Sequence, residues 1–183
     1  MGLKVAYHNH FWEFRDLGNN TTGEDVMLAF TEPDLVDFEL DLFWAEKAGK
    51  NPISIFEKFP NRFKLWHVKD MDRTKSNPIE WPKDGKLPVE QIFKDIRYTE
   101  VGTGSISFPE IVKEKTKAGL KYAFVEQDDI YMPNKMESLK KATITFRQIL
   151  SNKKGSNASF LFDKILLELC ILYFDRSFNH FTG

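Results

Sequence analysis

The feature that most constrains the fold of this chain is a repeated order of short apolar runs, each followed by a segment with helical periodicity. The apolar runs predict strands over residues 3–8, 36–41, 63–68 and 122–126. Strands that alternate with helices are typical of βαβ units, in which the strands lie parallel in one sheet. The pattern therefore predicts an α/β fold built from about four βα units.

The helical segments between these runs have recognisable start and stop signals. Pro52 begins an apolar helical pattern that continues to residue 59, and Gly119 follows a predicted helix over residues 109–118. Proline favours the first position of a helix, and glycine favours the position after its last turn. Further helices are predicted over residues 24–31, 43–48 and 135–150.

The connection over residues 70–107 does not continue this alternation of strands and helices. It contains three prolines and only one helical pattern, over residues 89–96. A long connection in a compact domain more often has a function than not. We therefore expect this connection to contribute to a functional site.

Composition places the chain among soluble proteins. Its 183 residues are 42% hydrophobic, which is enough for one domain with a real core. The net charge is -1 with the two signs interspersed, so no basic face indicates a nucleic-acid partner. The single cysteine, Cys170, argues against a disulfide framework and favours a reducing compartment. We predict a cytoplasmic protein.

The character of the chain changes after residue 150. Residues 151–183 read as a polar linker and an apolar tail, and the stretch over residues 160–174 is interrupted by Asp163, Lys164 and Glu168. It is shorter than the roughly 20 apolar residues that a spanning helix needs. We therefore predict a domain over residues 1–150 and no membrane span. The tail is interpreted as a docking helix, a poorly ordered appendage or a non-native extension.

Four side chains suited to metal binding stand at or near the ends of the predicted strands. They are His8, Asp41, His67 and Glu126. In a parallel βα array the carboxyl ends of the strands meet on one face, so these side chains are expected to converge. Imidazole and carboxylate groups together suit Mn²⁺, Co²⁺, Zn²⁺ or Mg²⁺. The sequence therefore predicts a divalent-metal site.

Each of these residues also has a local interpretation. Asp41 is a good N-cap for the following helix, a lone histidine is more often a surface residue, and Glu126 opens an acidic run typical of a solvated loop. Each of these interpretations concerns one residue alone, and none explains why all four strands end in a side chain suited to metal binding. The recurrence favours a common site.

Two further residues lie two positions from predicted ligands. His10 faces the same way as His8 if the strand continues through both, which predicts a substrate contact. Glu39 has the same relation to Asp41. It is expected either one layer below the site or as the buried partner of a lysine.

Five motifs then resemble one known family. They cover residues 7–14, 38–44, 65–71, 101–108 and 124–126, and they read YHNHFWEF, FELDLFW, LWHVKDM, VGTGSISF and FVE. In this order and spacing they resemble the last four strand motifs of xylose-isomerase-like isomerases and epimerases. The resemblance implies a partial (β/α)8 TIM-barrel-like fold that contains strands five to eight, with one metal ion at the carboxyl ends of the strands.

The resemblance also suggests roles for individual residues. Family members hold the ion with Glu, Asp, His and Glu, and Asp41, His67 and Glu126 match the last three of these. Lys69 matches the lysine of the family's His-x-Lys-Asp run and is expected to contact substrate. Arg73 is expected to approach a substrate hydroxyl or phosphate.

Two positions depart from the family pattern. His8 stands where the first metal-binding glutamate is expected, so it is predicted as a ligand and as a catalytic residue of altered chemistry. Trp44 stands where many relatives have a histidine, and it is predicted to contact substrate. Glu13 is a remote candidate for the missing carboxylate.

The resemblance implies a metal-dependent sugar or sugar-phosphate isomerase or epimerase. The reaction would move a proton through an enediolate, with Glu126 as ligand and base and a sugar or sugar-derived ketone as substrate. The alternatives are a non-catalytic barrel remnant or binding module, a dehydratase of the same fold, and an endonuclease-IV-like hydrolase. The missing basic face disfavours the last of these.

A complete barrel of this class takes about 250 residues. We therefore expect this chain to be a truncated form or a fragment. Association of two chains into a homo-oligomer is a less favoured way to complete the barrel.

Overall fold

The computed structural model describes residues 3–83 and 86–151. Its strands are β1 (Val5–His8), β2 (Val36–Asp41), β3 (Leu65–Val68), β4 (Asp70–Met71), β5 (Tyr98–Thr99) and β6 (Tyr122–Val125). Four of them form a central parallel sheet in the order β1-β2-β3-β6, and β4 and β5 form a separate antiparallel pair. The prediction of a partial α/β barrel is confirmed.

The helices lie close to their predicted positions. Thr22 caps the first helix with a capping box, and Gly119 ends the sixth in the left-handed region at φ 82°. The predicted helix over residues 109–118 is divided at Glu114. The helices are α1 (Gly23–Phe30), α2 (Leu42–Lys47), α3 (Pro52–Lys58), α4 (Val89–Lys94), α5 (Phe108–Lys113), α6 (Lys115–Ala118) and α7 (Lys135–Ser151).

The two faces of the sheet have different compositions. One face packs on the helices through fully buried side chains such as Leu40, Trp66 and Val68, all 0% exposed. The opposite face carries Glu39 and His67, which alternate with those residues along β2 and β3. In a complete barrel this second face lines the interior. The polar side chains of the predicted site therefore share one face of the sheet.

The connection over residues 70–107 contains structure that the sequence did not predict. Besides α4, it forms the β4–β5 pair and a short 3₁₀ helix over Arg73–Lys75. Strands of two residues leave no periodic signal in the sequence. Lys47, which is 4% exposed, donates hydrogen bonds to the carbonyls of Lys75 at 3.2 Å and Asn77 at 2.8 Å, and so holds this connection against α2.

The predicted linker and apolar tail lie outside the described residues from residue 152 onward. Within residues 3–83 and 86–151, none of the helices is long and apolar enough to cross a membrane.

A buried carboxyl group in the first turn of α1 makes the stability of the fold depend on pH. Glu24 is 2% exposed, and its Oε2 atom has no hydrogen-bond partner among the described residues. Burial, followed by the nearby charges of Glu13 and Asp25, raises its pKa to about 8. Because the folded pKa lies above the unfolded value, this group contributes full stability below the unfolded pKa and loses it as the pH rises towards 8.

We predict that Glu24→Gln stabilises the protein increasingly between pH 5 and pH 8. The neutral amide removes the cost of keeping a proton on Glu24, and the gain should grow by roughly 2 kcal/mol or more over that range. Urea unfolding at several pH values measures it. Glu32→Gln, at an exposed carboxylate, is the matched control and should show no such growth. Equal pH dependence in wild type and Glu24→Gln would contradict the assignment.

Candidate metal centre

The four predicted ligands come from the carboxyl ends of the four parallel strands. His8 ends β1, Asp41 ends β2, His67 lies in β3, and Glu126 follows β6 directly. The register places His8 beside Glu39, and Asp41 beside His67. Because residues that stand side by side in neighbouring strands face the same way, these side chains point to the inner face of the sheet.

The distances show that the predicted ligands converge. His8 Nε2 lies 3.7 Å from Asp41 Oδ2, and His67 Nδ1 lies 3.8 Å from the same oxygen. Glu126 Oε2 lies 3.5 Å from His67 Nδ1. One ligand atom from each of His8, Asp41 and His67 falls within 4.8 Å of the others. The structure therefore brings together all four residues that the sequence singled out.

The chemistry of these groups fits a divalent cation. His67 Nδ1 is a buried atom without a hydrogen-bond partner among the described residues, and it faces the carboxylates of Asp41 and Glu126. Buried polar atoms are normally paired, so this nitrogen is available to bind a ligand. Nitrogen and oxygen ligands at about 2.1 Å from an ion in tetrahedral geometry lie about 3.4 Å apart. The observed separations are close to that value.

Asp41 is the N-cap of α2, as the sequence suggested, and it uses only one of its two oxygens for that role. Oδ1 accepts the backbone N–H of Trp44 at 3.0 Å and caps α2, while Oδ2 faces the site. The backbone N–H of Asp41 is held at 2.9 Å by Oδ1 of Asn9, which is 0% exposed. Sequence reasoning missed Asn9, since an asparagine between two histidines does not indicate what its side chain will hold.

The environment of His8 keeps its imidazole neutral. Burial lowers its pKa to about 3, and the nearby His67, His10 and Lys69 act in the same direction. A neutral imidazole has a free lone pair and is therefore able to bind a metal ion. The ring of His10 lies 5.0 Å from that of His8 and stacks on Trp12 at 4.7 Å. β1 ends at His8, so the strand does not continue through His10, and the rings of the two histidines come together through the loop that follows.

Glu39 lies one layer below the site. Its Oε1 atom is 3.0 Å from His67 Nε2, which leaves His67 Nδ1 directed at Asp41 and Glu126. Burial lowers the pKa of His67, but the carboxylates of Glu39, Asp41 and Glu126 outweigh it and the net shift is upward. Carboxylates that accept the second N–H of a metal-binding histidine fix its orientation. Glu39 lies within the distance of such a contact.

The ammonium group of Lys69 is buried among the carboxylates of the site. Its Nζ lies 2.7 Å from Glu126 Oε2, 3.1 Å from Asp41 Oδ2 and 3.2 Å from Asp128 Oδ2. Burial lowers the pKa of Lys69, but the three carboxylates raise it by more than burial lowers it, so the amine stays protonated. Asp128 belongs to the acidic run after β6, and the sequence alone did not separate it from a solvated loop.

Three other residues from the sequence interpretation lie farther from the ligands. Trp44 is 2% exposed and packs in the core, with its ring 5.9 Å from that of His10. Arg73 is exposed on the 3₁₀ helix that follows β4. Glu13 accepts hydrogen bonds from Tyr7 Oη at 2.6 Å and from the backbone N–H of His10 at 2.9 Å. It therefore supports the loop that carries His10.

Asp70, the residue after Lys69, anchors the loop over residues 101–108, which contains Gly102 and Gly104. Asp70 is 0% exposed, and its carboxylate accepts backbone N–H groups of Met71, Gly102, Gly104 and Ile106 at 2.8–3.2 Å. A Cβ atom at Gly104 would overlap the Asp70 carboxylate, which explains the need for glycine there. Two motifs that are separate in sequence thus form one unit beside the site.

Comparisons with known proteins identify relatives of this chain. No family model matches the chain. The chain is 30% identical over 158 residues to an inosose dehydratase of Clostridium beijerinckii, covering 84% of this chain and 49% of that protein. It is 27% identical over 157 residues to an inosose dehydratase of Bacillus cereus, again covering 84% and 49%. The chain spans about half the length of these relatives.

Solved structures give the same result for the fold. A crystal structure of a sugar phosphate isomerase/epimerase from Parabacteroides distasonis matches with a TM-score of 0.58 and 25% identity, over 82% of this chain and 46% of that one. A second from the same organism has a TM-score of 0.56 and 23% identity, which shows the fold alone. The chain is thus related to the carboxy-terminal portion of the xylose-isomerase-like TIM barrels.

We predict that Asp70→Asn destabilises the protein by about 2–4 kcal/mol, because an amide offers one acceptor oxygen where the carboxylate serves four donors. Urea unfolding measures the change. Asp34→Asn, at an exposed carboxylate, is the control and should change the free energy of unfolding by less than about 0.5 kcal/mol. A value for Asp70→Asn as small as the control would show that the carboxylate does not hold the loop.

Proposed function

We propose that this chain is the carboxy-terminal part of a metal-dependent enzyme that removes a proton beside the carbonyl of a sugar-derived ketone and then eliminates water. The observation that carries the proposal is the pairing of one buried carboxylate, Glu126, with one buried ammonium, Lys69, beside the converging atoms of His8, Asp41 and His67. The reaction needs a base, an acid and an electrophile in one place.

A divalent ion would be held by His8, Asp41, His67 and Glu126, and it would supply Lewis-acid polarisation of the ketone oxygen. Glu39 lies 3.0 Å from Nε2 of His67 and would keep Nδ1 of that ring turned towards Asp41 and Glu126. Trp12, stacked on His10 and 46% exposed, offers an apolar surface to the carbon ring of a substrate.

The first step is the transfer of the proton on the carbon beside the carbonyl to Glu126, so that the C–H electron pair moves onto the carbonyl oxygen. In the second step the carbonyl re-forms and the carbon–oxygen bond at the next carbon breaks. Lys69 gives its proton to the departing hydroxyl, which leaves as water. Glu126 and Lys69 are 2.7 Å apart, so the proton on Glu126 returns to Lys69 and restores both groups.

The residues favour elimination over isomerisation. An epimerase of this class uses carboxylates on both faces of the enediolate, whereas His8 stands at the position of the first glutamate and is held neutral. One base with one acid fits the loss of water. The inosose dehydratases among the relatives point the same way.

Isomerisation or epimerisation of a sugar or sugar phosphate is the second candidate. It is favoured by the structural likeness to a sugar phosphate isomerase/epimerase. The first proton transfer is common to both reactions, so the two differ only in the fate of the enediolate. The enzyme is expected in the cytoplasm in either case.

One experiment distinguishes the elimination from the isomerisation. The protein is incubated in D₂O with Mn²⁺, Co²⁺ or Zn²⁺ and a panel of inositol-derived ketones and ketoses, and deuterium incorporation and products are followed by NMR. Elimination predicts a dehydrated product. Glu126→Gln should abolish deuterium exchange, and Lys69→Met should retain exchange while losing at least about 90% of dehydration.

Three results would count against the proposal. Isomeric products would favour the second candidate. A protein that takes up no metal and exchanges no deuterium would leave a non-catalytic remnant. Exchange that persists in Glu126→Gln would show that another group is the base.

We predict that Glu39→Gln weakens metal binding by about 10–100-fold, because His67 loses the carboxylate that orients it. Isothermal titration with Mn²⁺, Co²⁺ and Zn²⁺ measures the affinity without reference to turnover. Asp37→Asn is the matched control: Asp37 lies on the same face of β2 one layer farther from the site and contacts Lys4 at 3.8 Å. Equal affinities for the two variants would remove Glu39 from the site.

A further inference from the structure

A small cavity lies between α1 and α3, two helices that carry none of the residues of the candidate metal centre. Its volume is about 190 Å³, and it is lined by side chains of both helices and of the loops that lead into them. Sites for drug-sized ligands usually have about 300–1,000 Å³, so this cavity has room for a smaller molecule. The charges and the apolar surface around it indicate which molecule fits.

The carboxyl group of Glu24, in the first turn of α1, is the acidic group at the cavity that lacks a partner. Glu24 lines the cavity and is 2% exposed, and its Oε2 atom has no hydrogen-bond partner among the described residues. Buried polar atoms are normally paired. An ammonium ion beside Glu24 would pair with it, and would offset the burial and the charges of Glu13 and Asp25 that raise its pKa.

The ammonium group of Lys50 is the basic group at the cavity that lacks a partner. Lys50 lies shortly before α3, lines the same cavity and is partly buried. Its ammonium group has no ion pair and no hydrogen bond within residues 3–83 and 86–151. The four-carbon stem of a lysine is flexible, so this group can follow a negatively charged group inside the cavity.

The two other charged residues that line the cavity already neutralise each other. Lys58 Nζ lies 2.7 Å from Asp25 Oδ1, and Asp25 Oδ2 accepts the backbone N–H of Thr22 at 3.0 Å. Both oxygens of Asp25 are thus used. One acidic group, on Glu24, and one basic group, on Lys50, remain at the cavity, so a ligand with one charge of each sign matches it.

Apolar side chains form a further part of the cavity wall. Phe14 is 3% exposed and Leu28 is 2% exposed, and the partly buried Ile55 and Phe59 line the cavity as well. A carbon chain placed against them would be removed from water, which is favourable. The cavity therefore combines an acidic group, a basic group and an apolar surface.

We propose that this cavity binds an amino acid with an apolar side chain, whose ammonium group pairs with Glu24 and whose carboxylate pairs with Lys50. The side chain of the ligand packs against Phe14 and Leu28. A simple amine would leave Lys50 unpaired, and a simple carboxylate would leave the buried Glu24 unpaired, which costs free energy. A metal ion is a poorer match, because the group of described side chains able to hold one does not include Glu24.

Three probes of nearly the same shape test the two ion pairs on the wild-type protein. They are L-leucine, isopentylamine, which lacks the carboxylate, and 4-methylpentanoate, which lacks the ammonium group. In isothermal titration, L-leucine should bind with a dissociation constant on the order of 1 mM or below, and each analogue at least about tenfold more weakly. The titration contains EDTA, so that L-leucine does not bind through a metal ion at His8, Asp41 and His67.

Two variants locate the ligand. Glu24→Gln and Lys50→Met should each weaken the binding of L-leucine at least about tenfold, because each removes one of the two charged contacts. Glu32→Gln and Lys121→Met, at exposed side chains outside the cavity, are the matched controls and should leave the affinity unchanged. Circular dichroism of each variant checks that the fold is retained.

Failure of L-leucine to bind overturns the proposal, and so does equal binding of the three probes. Undiminished binding in Glu24→Gln or in Lys50→Met would place the ligand elsewhere and overturn it as well. The comparison of probes uses the wild-type protein alone, so it decides the proposal even where a variant does not fold. None of these measurements involves turnover or a bound metal ion, so their failure is distinct from failure of the proposed function.

Discussion

The buried ammonium of Lys69 is the interaction on which the candidate site depends, because it holds carboxylates from separate strand ends in one place. Asp41, Glu126 and Asp128 all lie within 3.2 Å of its Nζ. Without a cation, two of these carboxylates, each at most 5% exposed in the side chain, would repel one another in a poorly solvated space. Lys69 removes that cost, and the carboxylates in turn keep it protonated. The same ion pair places an ammonium and a carboxylate 2.7 Å apart, and the proposed reaction uses them as acid and base.

Two polar groups of the site each use one atom for a structural contact and turn the other into the site. Asp41 caps α2 with Oδ1 and turns Oδ2 towards Lys69, and His67 meets Glu39 through Nε2 and keeps Nδ1 unpaired among the described residues. Asn9 holds the backbone of Asp41, so even the strand end is fixed by a side chain. Such support leaves the free atoms preorganised, which lowers the cost of binding an ion.

Sequence reasoning predicted the sheet and the convergence of four polar side chains, because both follow from periodic signals. Apolar runs define the strands, and parallel strands bring His8, Asp41, His67 and Glu126 to one face. It could not predict hydrogen bonds between residues far apart in sequence, such as the one that the backbone N–H of Gly104 donates to the Asp70 carboxylate. Nor could it find β4 and β5, since two-residue strands are formed by their tertiary partners. The tail after residue 151 lies outside the described residues, so that prediction stays untested.

One face of the sheet packs on the helices and the other carries the polar side chains, and this difference explains how half a barrel can hold a site. The outer face packs on its own helices, and Leu40, Trp66 and Val68 are fully buried there without any further strands. The positions of the ligands are therefore set by a core that this chain supplies itself. The inner face is different, because Glu39 and His67 remain partly open to solvent on it. Charges interact more strongly when water is excluded, so the missing half contributes mainly closure. On this argument, closing the barrel should strengthen chemistry at a site whose geometry already exists.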